Sequence, residues 1–279
     1  MKKLGTLVLT AALAGSLLTP ALADQPELVI APAPAAYPAV LSVNGTELDT
    51  SALPAGQGLP LRLIAEADHG SAMWFEEENT GSFYLDGCYI TVNFADGSVT
   101  RNDELLEGIT AQVVEGVTFL PAEVFAGLEG YAVDLHPEMD AGRIDITTPN
   151  NDPLVRLAYT VADAGGVGYG MKIDEEALSA YGIDSAAFTQ VTGFFPMMVS
   201  PDTVVVGKLA QDGEETARAG LDAYRQQQED TFSWYLSQNL PKVQDARTVV
   251  KDGYILFVIA GDADAAVAAF ESGVDALKD

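Results

Sequence analysis

The sequence predicts an α+β protein of two domains, each an antiparallel sheet packed with helices. Three observations predict it. Short apolar runs are joined by tight pairs such as Asn44-Gly45, Asp86-Gly87 and Asp252-Gly253, which close antiparallel hairpins. Helix-period stripes are inserted among these hairpins rather than alternating with buried parallel strands. A break at Pro149-Asn150-Asn151-Asp152-Pro153 divides a strand-rich first half from a second half that opens on a helical pattern.

In chain order, Lys2 and Lys3 precede the apolar run LGTLVLTAALAGSLL, Pro20 breaks it, and Ala21-Leu22-Ala23 presents a small-x-small cleavage rule. Residues 1–23 therefore read as a signal peptide cut between Ala23 and Asp24, and the chain is expected to be exported, secreted or associated with the cell envelope. The run is shorter than the ~20 residues of a spanning helix, so no stable membrane span is expected after cleavage. No cysteine follows the cleavage site to take a lipid. Residues 24–38, with APAPAAYP, read as an extended spacer.

Residues 39–150 form the first predicted domain. VLSV-NG-TEL, FYL-DG-CYITVNF-ADG-SVT, AQVV-EG-VTFL and RIDIT supply its strands, with Ile90, Val92 and Phe94 alternating against Tyr89, Thr91 and Asn93. Two similar stretches interrupt them. In GLPLRLIAEADHG, Pro60 suits a first helical turn, Leu63, Ile64 and Ala67 make a stripe, and Gly70 is the expected left-handed stop. In TFLPAEVFAGLEG the corresponding residues are Pro121, then Val124, Phe125 and Leu128, then Gly130. The domain is thus a duplicated strand–helix–strand unit.

Residues 151–279 form the second. DPLVRLAYTVADA is a helical lead-in, AGGVGYG a loop, and DEEALSAYGID a short helix ending at Gly182. FFPMMVS and VVVGKLA read as strands joined at Ser200-Pro201-Asp202, with Met197 and Met198 expected in the core. A long helix follows, expected to be capped by Asp212 with Glu215, with Ala217, Leu221, Tyr224, Gln228, Phe232 and Tyr235 on one face and Glu214 paired to Arg218. RTVVK-DG-YILFVIAG is a hairpin whose second strand suits a sheet covered on both faces. A last helix starts at Asp262, giving the order β-β-α-β-β-α. Gly253 is expected to require glycine, whereas Gly166 in the loop should tolerate a side chain far better.

Charge narrows the partners. The chain carries 41 acidic residues against 14 Lys and Arg, a net charge of −27. Such a surface repels phosphate backbones, which excludes nucleic acid. Cys88 is the single cysteine, so no intramolecular disulfide forms, and it reads as a small buried strand residue. Two histidines, His69 and His136, are too few for a copper or zinc centre, and each reads as a surface or helix-end residue. No metal and no cofactor is expected, and surface carboxylates would hold calcium only weakly. Glu76-Glu77-Glu78 and Asp174-Glu175-Glu176 read as solvated loop or first-turn residues. The glycines of AGGVGYG lack phosphate-cradle spacing. No catalytic residue is assigned.

Two resemblances follow from these motifs. Val43-Asn44-Gly45, Pro60, Arg62, Ala65, Glu66 and Trp74 carry a pattern that resembles the copper amine oxidase N-terminal-like domain over about residues 38–148. Asp68-His69 replaces its Leu-Gly, and Glu123 and Gly127 also depart from it. The resemblance implies an extracellular accessory module of antiparallel sheet plus helix. It does not imply oxidase chemistry, which needs a histidine-rich copper centre in a separate domain. Residues 152–272, through YGID, FPMMVSPDTVVVGKLA, ETARAGLDAYRQQQEDTFSWY and ARTVVKDGYILFVIAGDADAAVAAF, are similar to a domain of unknown function in envelope proteins of Gram-positive bacteria.

Two functions are compatible with these features. The first is a non-enzymatic secreted or cell-envelope accessory protein that binds a wall polymer, protein or peptide. The second is a carboxylate-based hydrolase of envelope glycan, which would need two facing buried carboxylates in one pocket.

Overall fold

The computed structural model describes residues 40–136, 142–197 and 199–277. Residues 1–39, including Ala23, Asp24 and the spacer, lie outside these. The described first half contains β1 (Val40–Val43), β2 (Thr46–Glu47), β3 (Leu59–Pro60), α1 (Leu61–Ala67), β4 (Ser71–Phe75), β5 (Thr80–Leu85), β6 (Cys88–Asn93) and β7 (Ser98–Arg101). It continues with β8 (Glu104–Thr110), β9 (Gln112–Val114), β10 (Val117–Leu120), α2 (Ala122–Ala126), β11 (Ala132–His136) and β12 (Arg143–Thr147). They form sheets of order β11-β12-β1-β2, β3-β10-β9 and β4-β5-β6-β7-β8.

The duplicated unit is visible as β3-α1-β4 and β10-α2-β11. The two lead strands pair antiparallel, Phe119 against Pro60 and Leu120 against Leu59, so the copies meet at their entrances and send their exit strands to different sheets. Leu61, Ile64 and Ala65 of α1 and Val124 and Phe125 of α2 enter one core with Leu41, Ile90 and Ile144. Two expectations change here. β1 pairs parallel to β12, because the long route between them lets the chain return in the same direction. The left-handed residue after α1 is His69 (φ 61°), not Gly70. The Gly70 N–H donates to Ala65 O (2.7 Å), the six-residue closure of a Schellman end, which places the positive φ one residue earlier.

The second half runs α3 (Pro153–Gly165), β13 (Met171–Lys172), α4 (Glu175–Ala180), β14 (Phe188–Phe195), β15 (Thr203–Leu209), α5 (Glu214–Trp234), α6 (Leu240–Gln244), β16 (Arg247–Lys251), β17 (Tyr254–Ile259) and α7 (Ala263–Ala276). Its sheet, β13-β14-β15-β17-β16, is antiparallel throughout. Leu256 and Val258 of β17 face a core shared with α3 and α7. Ile255, Phe257 and Ile259 face another, shared with α4 and α5. The near-continuous apolar strand is therefore covered on both faces. Asp152 caps α3 through Leu154 N (2.8 Å) and Asp262 caps α7 through Ala265 N (2.9 Å).

Several local expectations differ. The first strand of the β14–β15 pair ends at Phe195 rather than running through FFPMMVS, because Pro196 has no N–H to continue the ladder. Met197 is then 68% exposed instead of buried; Met198 lies outside the described residues. Asp212 does not cap α5: it sits at φ 61° in the preceding turn, and Gly213 is the capping residue. Gln228 is half-buried and Tyr235 exposed at the end of that helix face, while Arg218 pairs with Glu214 at 2.8 Å. Gly166 (φ 65°) is the left-handed C-cap of α3, so it is constrained as Gly253 (φ 81°) is.

Candidate functional site

Among the described residues, the exit strand of the first copy, β4, has a neighbour on one side only, β5. Its residues Met73 (50% exposed), Trp74 (57%) and Phe75 (42%) form three consecutive exposed apolar positions. A strand with one buried face alternates; this one does not. Ala72 and Trp74 stand opposite Phe83 and Gly81 of β5. A side chain at Gly81 would press on the Phe94 ring at 2.9 Å, and its absence lets Trp74 tilt across the strand onto Phe94, with centroids 4.8 Å apart.

Trp74, Phe83 and Phe94 form one wall of a cleft of about 580 Å³, with Pro60 and Leu63 at the start of α1 and Val117 of β10 closing the others. Its volume lies within the ~300–1,000 Å³ range of ordinary ligand sites. Charge enters at the rim only, as the Arg62–Glu66 pair at 2.7 Å, one turn apart on α1. Val113 of β9, the edge of the three-stranded sheet, borders the same opening. The turn Glu76–Glu78 leaves the end of β4 and is exposed. The cleft can take up apolar side chains, and the β4 edge beside it offers backbone hydrogen-bonding groups.

A second cluster is polar. Asp68, 2% exposed, accepts from Thr148 Oγ1 (2.7 Å) and Asn44 Nδ2 (3.0 Å) on one oxygen and from Tyr131 OH (2.8 Å) on the other. Burial raises its pKa above the ordinary carboxylate value, opposed by the bonds from Thr148 and Tyr131. Asn150 donates to Asp68 O (3.1 Å) and accepts from Lys172 Nζ (2.8 Å), which also bonds Asp86. His69 stacks on Tyr159 at 3.8 Å, and Tyr169 OH bonds Asp163 and lies 3.3 Å from His69 Nδ1. Burial holds the His69 pKa below its usual value. The cluster ties the two halves together, and every polar atom of the Asp68 carboxylate is already engaged. We read it as a structural joint.

The AGGVGYG loop belongs to this joint: it delivers Tyr169, and Gly170 lies so close to the Phe195 backbone that a side chain would meet its oxygen at 2.0 Å. His136 ends β11 and lies 3.5 Å from Asp145. Cys88 starts β6, half-buried, with its thiol pKa raised by burial. Glu175 and Glu176 fill the first turn of α4, capped by Asp174. Among the described residues, no group of three or more His, Cys, Asp or Glu is placed to hold a metal. Among the described residues, the cleft is lined by one carboxylate, Glu66, rather than the facing pair a glycan hydrolase would use. In the sequence Trp74 stands out as a motif residue and not as a site; the unalternating Met73-Trp74-Phe75 triplet is the signal that marks it.

Residues 167–260 match the model of a domain of unknown function, DUF4358. The match runs from the loop after α3 to the residue after β17, and so leaves out α3 and α7. No copper amine oxidase N-terminal-like match accompanies it over residues 38–148. No curated protein and no solved structure matches the chain. No described helix is long and apolar enough to cross a membrane.

Proposed function

We propose that this protein is an exported, non-enzymatic accessory module of the cell envelope, and that the cleft beside β4 is its binding surface for another envelope component. The observation that carries the reading is the coincidence of an apolar cleft with an exposed apolar sheet edge. Monomeric domains seldom leave such a surface uncovered. The copper amine oxidase N-terminal-like pattern in the same half, the leader-like first 23 residues and the absence of a carboxylate pair in the cleft support it.

The test is affinity capture from envelope extract, with wild type, Trp74→Ala and Trp234→Ala as baits. Trp234 is 80% exposed and distant in sequence from the cleft, so it serves as a matched aromatic control. The reading expects partners retained by wild type and by Trp234→Ala to be lost with Trp74→Ala. Retention by Trp74→Ala equal to wild type would contradict it.

A further inference from the structure

We infer that the cleft takes an extended, cationic polypeptide segment, which adds to the five-stranded sheet as a sixth strand along β4 and places alternate apolar side chains against Trp74 and Leu63. The inference rests on the binding role of the cleft and names its ligand class.

The duplicated unit supplies an internal comparison. β4 and β11 are equivalent exit strands, and each is the edge of its sheet. Aligned through Pro60 and Pro121, Met73 corresponds to Asp134 and Trp74 to Leu135. β11 thus has a carboxylate in mid-strand, the charge that keeps exposed edges from pairing. β4 has none across Ser71–Phe75. One copy is guarded and the other open.

What would cover the open edge follows from its surroundings. A sheet edge is satisfied by backbone N–H and C=O groups at strand spacing, which a polypeptide supplies and a glycan does not. Side chains of an added strand alternate, so those facing the cleft would meet Trp74, Phe83 and Val117 while the others point to solvent. The charge at the end of β4 is negative: Glu76, Glu77 and Glu78 follow the strand, and the one basic residue lining the cleft among the described residues, Arg62, is paired with Glu66. With a chain net charge of −27, an approaching segment with Lys or Arg at the solvent-facing positions is favoured over a neutral or acidic one.

The experiment uses the purified protein carrying Trp234→Phe, which leaves Trp74 as the sole tryptophan reporter. The probes are a blocked peptide Lys-Val-Lys-Phe-Lys-Val-Lys, the same peptide with alternate backbone nitrogens methylated, and a soluble peptidoglycan glycan fragment. The unmodified peptide should perturb Trp74 fluorescence saturably, and ~0.5 M salt should weaken it several-fold. Methylation, and separately Met73→Lys, should each weaken binding roughly tenfold or more, since methylation removes the pairing N–H groups and an edge lysine repels the cationic strand. Met73 is half exposed, and an unchanged melting temperature would show that its variant is folded. Equal binding of the methylated peptide would overturn strand addition while leaving the cleft a binding surface. Saturable binding of the glycan with none of the peptide would overturn the polypeptide assignment. If Trp74→Ala also keeps every envelope partner, the binding role of the cleft itself fails.

Discussion

Replacing Asp68 by alanine should be the most damaging single polar substitution in the joint. The carboxylate receives three side-chain bonds, from Thr148, Asn44 and Tyr131. Leaving a buried donor unmatched costs ~1–3 kcal/mol. Not all three donors are stranded, because Asn44 Nδ2 also reaches Thr148 Oγ1 at 2.9 Å. Tyr131 OH loses its partner outright. The expected loss is therefore ~2–4 kcal/mol, which for a chain of this size lowers the melting temperature by roughly 5–15 °C. Circular dichroism melts of Asp68→Ala beside the exposed control Glu107→Ala would measure it. The pH dependence gives an independent sign. Burial raises the folded-state pKa of Asp68, so the group's unfavourable contribution is absent below the unfolded pKa and grows as pH rises through the folded one. Asp68→Asn should remove that decline from the stability–pH curve. A melting temperature for Asp68→Ala within about a degree of the control would refute the reasoning, since a stranded buried hydroxyl alone carries more than that.

Three further outcomes follow. Gly253→Val, at φ 81° in the β16–β17 turn, should destabilise by ~1–3 kcal/mol, whereas Gly168→Val, with open space around it, should change little; equal urea midpoints would refute the turn assignment. Lys172→Ala removes the bonds to Asp86 and Asn150 and should speed limited proteolysis at residues 148–153 several-fold; an unchanged cleavage rate would mean the joint does not depend on this lysine. Protein recovered from the culture medium should begin at Asp24 by intact mass; retention of Met1 to Ala23 would exclude the proposed cleavage.

Much of the fold is legible in local chemistry. Asn44-Gly45, Asp86-Gly87, Glu115-Gly116 and Asp252-Gly253 all take positive φ at both residues, as two-residue hairpins require. The β17 run is apolar at every position because two helical layers cover it. What sequence could not show depends on long-range geometry. The parallel β1–β12 pair joins residues about a hundred positions apart through no local turn. The glycine at 166 looked like loop filler because helix α3 runs one residue past Ala164, the end of its sequence pattern, before the left-handed turn.

The candidate site was less legible than the fold. Trp74 was visible as a motif residue, but its role depends on Gly81 and Phe94, which reach it across strand pairings. The joint was hidden for a related reason. Asp68 and His69 are among the positions, with Glu123 and Gly127, at which the sequence departs from the expected motif pattern, and these two meet Thr148, Asn150 and Tyr159. A departure from a pattern marks where a chain does something of its own, though only the packing says what.

The most direct measurement of the central claim is amide hydrogen exchange over β4, with and without the cationic peptide. Strand addition predicts slower exchange within Ser71–Phe75, at alternate amides, with Ala132–His136 of β11 unchanged as the guarded counterpart. Protection confined to other surfaces, such as those around the exposed Met197 or the exposed Trp234, with β4 exchanging as fast as in the free protein, would contradict it.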